Sequence, residues 1–117
     1  MKKLVHMSGK RKEAIARATI REGKGKVRIN KVMLDAYTPD IARMRIKEPL
    51  LLAGEIAGKV NIDVNVKGGG WQAQSESARL AIAKGLVEYS GSKQLKQQFL
   101  AYDRHLLVAD TRRVESS

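Results

Sequence analysis

A chain of 117 residues has room for one domain and one core, and a domain of that size buries roughly two-thirds of the surface its unfolded form exposes. It contains no cysteine, which excludes disulfides, thiolate zinc sites and cysteine nucleophiles, and its few aromatic residues leave the core to Val, Ile, Leu and Ala. Twenty-three Lys and Arg against 12 Asp and Glu give a net charge of +11, and a folded domain that repels itself so strongly calls for a polyanionic partner.

The charge is not evenly spread. Residues 1–31 hold 11 Lys and Arg and 2 acids, a net of +9, whereas residues 32–117 hold 12 and 10, a net of +2. Clustering of one sign argues against a solubility role, which mixed signs serve better. The basic stretch carries neither an amphipathic helix nor a lipidation signal, so a membrane surface is the poorer polyanion. Leu4-Val5-His6-Met7-Ser8 after Met1-Lys2-Lys3 is too short and polar for a signal-peptide core, and no run approaches the roughly 20 apolar residues of a membrane span. The expected location is the cytoplasm, and the expected organisation is a single RNA-binding domain over 1–117, with a basic N-terminal segment 1–31 and a C-terminal extension 101–117.

The first patterned segment, Ala14 to Arg21, alternates with Ala14, Ala16, Ala18 and Ile20 on one face and Arg17 and Arg21 on the other, which predicts a strand with one buried and one basic face. Glu22-Gly23-Lys24-Gly25-Lys26 supplies turn glycines and Val27 to Asn30 resumes the alternation, so the expectation is a β-hairpin with a cationic tip. After a bend at 31–36, Thr38 as N-cap and Pro39 at the first helical position predict a short helix, broken near 46–48 because Pro49 lacks an amide hydrogen. Leu50, Leu51 and Leu52 are expected to pack under the sheet, with Gly54 as a stop.

Val60 to Val66 alternates without exception and predicts a strand with Val60, Ile62, Val64 and Val66 inward. Helical spacing over 72–89 places Ala78, Ile82, Gly85, Leu86 and Tyr89 on one stripe, and Ser90-Gly91 ends it. Ser92 caps a further helix over 93–100 with Leu95 and Phe99 facing the core, and 102–108 reads as a short strand or extended segment.

Chemistry is sparse. His6 and His105 are far apart in sequence and neither has a second ligand at metal spacing; no Ser, Thr or Lys sits in a nucleophile motif, and no carboxylate pair stands out. No catalytic, metal or cofactor site is therefore expected. Gly68-Gly69-Gly70, between a strand and a helix, fits neither the dinucleotide fingerprint nor the P-loop; it is either a turn or a place where backbone approaches a phosphate. Lys10, Arg11 and Lys12, continued by Arg17 and Arg21 on the strand and Lys24 and Lys26 at the hairpin tip, form a stripe of cations suited to a phosphate backbone. Without a strand carrying several aromatics, and without a DNA-reading helix pattern, folded RNA is the better partner.

Ser8-Gly9-Lys10-Arg11-Lys12-Glu13-Ala14, Gly23-Lys24-Gly25-Lys26-Val27, Lys67-Gly68-Gly69-Gly70-Trp71-Gln72, and Tyr102-Asp103-Arg104 with Asp110-Thr111-Arg112-Arg113 resemble, in order, the S-nine family of small-subunit ribosomal proteins. Glu48-Pro49-Leu50-Leu51-Leu52 is similar to its archaeal branch, and the resemblance spans about residues 5–115. It implies an α+β two-layer sandwich: a four-stranded mixed sheet with helices on one face, the ribosomal protein S-five domain-two-like fold with a left-handed βαβ crossover. It implies a structural protein bound to ribosomal RNA in the subunit head, beside other small-subunit proteins. The RNA-binding residues it implies add Gly68, Gly69, Gly70, Gln72, Gln74, Arg79, Arg104, Arg112 and Arg113 to the cationic stripe. The family continues past the equivalent of Arg113 into a basic tail that reaches transfer RNA; this chain stops at Val114-Glu115-Ser116-Ser117, so no residue is assigned that contact. The alternative function is a free-standing RNA-binding or RNA-chaperone module outside the ribosome.

Overall fold

A computed structural model describes residues 4–102. Five strands, β1 (Leu4–Arg11), β2 (Ala14–Glu22), β3 (Val27–Ile29), β4 (Val32–Met33) and β5 (Val60–Lys67), form one mixed sheet in the order β1-β2-β5-β3-β4. The β3–β5 pair is parallel and the other three pairs are antiparallel. The helices are α1 (Asp40–Ala53), the single turn α2 (Glu55–Gly58), α3 (Trp71–Ser90) and α4 (Lys93–Tyr102), with a 3-10 turn at Leu34–Ala36.

The period-two rows decide where the core lies. Ala14, Ala16, Ala18 and Ile20 of β2 and Val60, Ile62, Val64 and Val66 of β5 are all buried on one side of the sheet, as their alternation predicts. Against this side packs α3, whose Ala78, Ile82, Gly85 and Leu86 stripe is buried. Helix α1 then packs on α3 through Ala42, Ile46, Pro49 and Ala53, and Leu95 and Phe99 of α4 complete the same core. Ser92 Oγ accepts from the Leu95 amide at 3.0 Å, the cap foreseen for α4, and Gly91 ends α3 in the left-handed region at φ 65°.

Strand β1 was not foreseen. Its inward row is Val5, Met7, Gly9 and Arg11, in which a glycine and an arginine hide the apolar alternation. The glycine is there for contact: a Cβ on Gly9 would lie 2.6 Å from the Ser77 carbonyl oxygen and 2.8 Å from the Ala81 nitrogen, so α3 rests directly on the β1 backbone.

Several expectations are corrected. β2 and β3 do not form a hairpin: β5 inserts between them and pairs with both, because a continuous apolar strand gains more from two neighbours than a three-residue strand gains from one. The sheet has five strands rather than four, the extra one being the two-residue β4. Helix α1 runs unbroken through Pro49; the ring sits on the buried face with Ile46 and Ala53, and that packing offsets the missing backbone hydrogen bond. The helix also starts one residue later than expected, with Pro39 at the cap and Asp40 first, and no side-chain cap bond forms. Of the three leucines, Leu50 and Leu52 are half-buried and Leu51 is exposed. Tyr102 closes α4; the rest of the expected 102–108 segment lies outside the described residues.

The β3–β5 ladder is lengthened by a side chain. Asn30, at φ 52°, accepts from the Val66 amide through Oδ1 at 2.8 Å and donates from Nδ2 to the Val66 carbonyl at 3.0 Å, imitating one more residue of β3. Asparagine tolerates this left-handed conformation better than most residues.

Candidate nucleic-acid interface

All described helices lie on one side of the sheet, so its other face is open, and the strand register sets what that face displays. Lys10, Ile15 and Lys67 form one cross-strand row; Ser8, Arg17 and Asn65 the next; His6, Thr19, Asp63 and Arg28 the third; Leu4, Arg21 and Asn61 the last. Two shallow depressions, of about 360 and 190 Å³, share Arg17 and Asn65 in their linings. His6, Ser8 and Thr19 line the first, and Ile15 and Lys67 line the second.

The cations of this face divide into two kinds. Arg21 and Arg28 both close on Asp63, each at 2.8 Å, so one carboxylate neutralises much of the middle of the face. Among the described residues, Lys10, Arg17 and Lys67 meet no acid, and neither does Lys12 in the β1–β2 turn. Lys12 occupies that two-residue turn with φ 54°. Uncompensated positive charge is thus concentrated at the β1–β2-turn end of the open face.

The glycine loop sits at this same end. Gly68 and Gly69 have φ of 85° and 65°, and a Cβ on Gly68 would collide with the Glu13 carbonyl, while one on Gly69 would come within 3.0 Å of the Ala73 Cβ. Both therefore have a reason within the fold: the chain must turn tightly against the β1–β2 turn. Gly70 has an ordinary φ of −93° and open space where a Cβ would lie. Gln74 donates from Nε2 to the Gly68 carbonyl at 3.1 Å and pins the loop; Gln72 is exposed, and so is Trp71.

Not every residue of the expected stripe is gathered here. Arg11 falls in the inward row of β1 and is 5% exposed, with its Nε 3.8 Å from Glu76. Arg79 pairs with Glu48, tying α3 to α1. Lys24 and Lys26 stand at the opposite end of the sheet, where Asn61 Oδ1 accepts from both of their amides at 3.0 and 3.1 Å and fixes the loop between β2 and β3. Arg104, Arg112 and Arg113 lie outside the described residues. Lys67 was missed, although it is simply the last outward residue of the β5 alternation. Among the described residues no group of three or more His, Asp or Glu is placed to hold a metal ion, and no helix is long and apolar enough to cross a membrane.

An open, basic sheet face backed by helices, with a pinned glycine loop at its charged end, defines a small two-layer α+β protein. Comparisons with known proteins show its family. The model of the ribosomal protein S9/S16 family matches residues 9–117. The small ribosomal subunit protein uS9 of Methanococcus vannielii is 52% identical over 113 residues, covering 97% of this chain and 84% of the relative. Its counterpart from Methanococcus maripaludis is 50% identical over the same shares. The chain belongs to the ribosomal protein S9/S16 family, in the company of archaeal relatives, and the family is structural rather than enzymatic.

Proposed function

We propose that this chain is a structural constituent of the small ribosomal subunit, held on ribosomal RNA of the subunit head through the basic end of its open sheet face. The observation that carries the location is the set Lys10, Lys12, Arg17 and Lys67, cations with no acid partner among the described residues, beside the loop Gly68 to Gln74. Each phosphate neutralised there releases counterions, and the twisted sheet offers shape rather than base-reading side chains, as structured RNA requires. Lys24 and Lys26 supply a second contact at the far end, and Arg21 is held in reserve by Asp63. Partners on this reading are ribosomal RNA and neighbouring small-subunit proteins on the cytoplasmic ribosome; contact with transfer RNA belongs to a basic tail of the family type.

The parallel β3–β5 pair, with α1 and α2 between its strands in sequence, supplies the βαβ unit that a ribosomal protein S-five domain-two-like fold contains; a left-handed sense for that crossover and a single domain over 1–117 belong to the same proposal. Sedimentation of the endogenous protein tests the functional reading. It should co-migrate with small subunits and leave them only at high salt; a protein that stays at the top of the gradient and binds unrelated RNAs equally well would instead be a free-standing module.

A further inference from the structure

Phe99 is fully buried and Tyr37 and Tyr89 pack against the core, but Trp71, the one tryptophan of the chain, is 39% exposed. Tryptophan has much apolar area to gain from burial, and a ring left so far in water forgoes part of that gain. A single exposed apolar side chain needs no explanation by itself. The meaning of this one comes from where its backbone stands and how firmly it is held.

Trp71 opens α3 directly after the glycine loop. That loop lies against the β1–β2 turn, since a Cβ on Gly69 would come within 3.4 Å of the Ala14 nitrogen and one on Gly68 would collide with the Glu13 carbonyl. Lys12 is in the turn, and Lys10 and Lys67 share the cross-strand row beside it. Lys31 joins them from β3, because both side-chain bonds of Asn30 go to Val66 and the next residue emerges at the same end of β5. None of these four lysines closes on an acid among the described residues, and the one acid of the turn, Glu13, leaves the group positive. Gln74 fixes the chain around the ring, its amide donating to the Gly70 carbonyl at 2.9 Å and its Nε2 to the Gly68 carbonyl at 3.1 Å, and Ala73 is buried. A ring on so fixed a backbone loses little freedom when something settles on it. Open space lies where Gly70 would carry a side chain, so the chain just before the ring is uncovered.

A nucleotide has two halves, a π-face and a phosphate, and this end of the molecule offers a ring for one and lysines for the other. A base inside a duplex is stacked on its own neighbours, so the base that an indole can take is an unpaired one. An apolar side chain of another protein would suit the ring but would have to enter among cations, which the cores of protein interfaces exclude.

We propose that Trp71 is a stacking platform for one unpaired base of the bound RNA, whose flanking phosphates lie on Lys12 and Lys67. The proposal rests on the RNA-binding reading and adds to it a contact that is not ionic: stacking contributes affinity without adding a phosphate to the salt slope. As the single tryptophan, Trp71 reports the contact through its own fluorescence. The full chain is titrated with a small-subunit RNA fragment containing unpaired nucleotides and, separately, with a fully paired duplex of the same length, while filter binding gives the salt slope. The expected result is quenching of the indole that saturates with binding of the fragment and is absent on the duplex. Trp71→Ala and Trp71→Leu should each lower affinity for the fragment about tenfold at an unchanged salt slope, and Trp71→Phe should restore most of it. Melting curves of each variant ensure that the affinities refer to folded protein. Salt-dependent binding without quenching overturns the proposal and leaves the RNA reading standing. So does equal quenching by the duplex, or a Leu variant that binds as well as the Phe variant, which would make the ring an apolar cover. Wild type that binds neither RNA in a salt-dependent way overturns the RNA reading itself, and this proposal with it.

Discussion

Removing an acid from the middle of the open face should strengthen RNA binding, and Asp63→Asn tests this with a sign that is hard to obtain by accident. On an RNA fragment that engages the open face alone, the four cations with no acid partner among the described residues, Lys10, Lys12, Arg17 and Lys67, set the phosphate count. Four contacts correspond to a log–log salt slope of about −3.6, or an affinity loss of about 150-fold between 50 and 200 mM salt. Asp63→Asn frees Arg21 and Arg28 together, since both guanidiniums end on that one carboxylate. If both then reach phosphate, the slope steepens to about −5.4 and the loss over the same range grows to roughly 2,000-fold. Two partly exposed ion pairs contribute at most about 1 kcal/mol each, so the variant should still fold, with a melting temperature lower by several degrees at most. Filter binding to a small-subunit RNA fragment across a salt series measures the slope, and calorimetry supplies the stability control. An unchanged slope, or an affinity below wild type at low salt, would show that RNA does not lie across this face.

Other expectations concern the fold that presents the face. Gly9→Ala forces a methyl group against the α3 backbone and should cost about 2 kcal/mol, whereas Gly70→Ala, with open space around it, should stay within about 0.5 kcal/mol in thermal unfolding. Val64→Asp places a carboxylate in the buried row of β5 and should cost several kcal/mol; Asn65→Asp should be tolerated within about 1 kcal/mol but flatten the salt slope, because its carboxylate faces Arg17. Equal melting temperatures for these two would refute the register. Asn30→Ala strips both side-chain bonds to Val66 and should lower stability by about 1–3 kcal/mol in denaturant titration without changing the salt slope.

What the sequence reveals follows from how local each signal is. β5 and α3 were legible because their apolar periods run uninterrupted, and the α4 cap because Ser92 stands directly before its helix. The pairing of β2 with β5 was not, since it joins segments about forty residues apart while glycines at 23 and 25 advertise a local hairpin. Pro49 misled in the same way: its cost is local, and the packing on α3 that offsets it is not. Lys10 and Arg17 do fall in the outward rows of the sheet and Lys12 in the turn beside them, but a run of consecutive cations cannot say which side of a strand each one takes. Counting outward from Val5 in steps of two would have turned Arg11 inward, and counting along β5 would have found Lys67.

The hold of Asn61 on the loop between β2 and β3 has a consequence for how binding energy is distributed. By fixing the amides of Lys24 and Lys26, it anchors a second basic point at a set distance from the first, since β2 runs straight between them. Eight residue steps from Ala14 to Glu22, at about 3.3 Å each, put the two points roughly 26 Å apart. That is about three Debye lengths at physiological salt, so neither point senses the other's charge through solvent. Charge removals at the two ends should then combine as independent free energies, while removals within the Lys10, Arg17 and Lys67 cluster should not. On the proposed RNA-binding reading, the sheet is a spacer between two electrostatically separate points, and an RNA that engages both must satisfy its length as well as its charge.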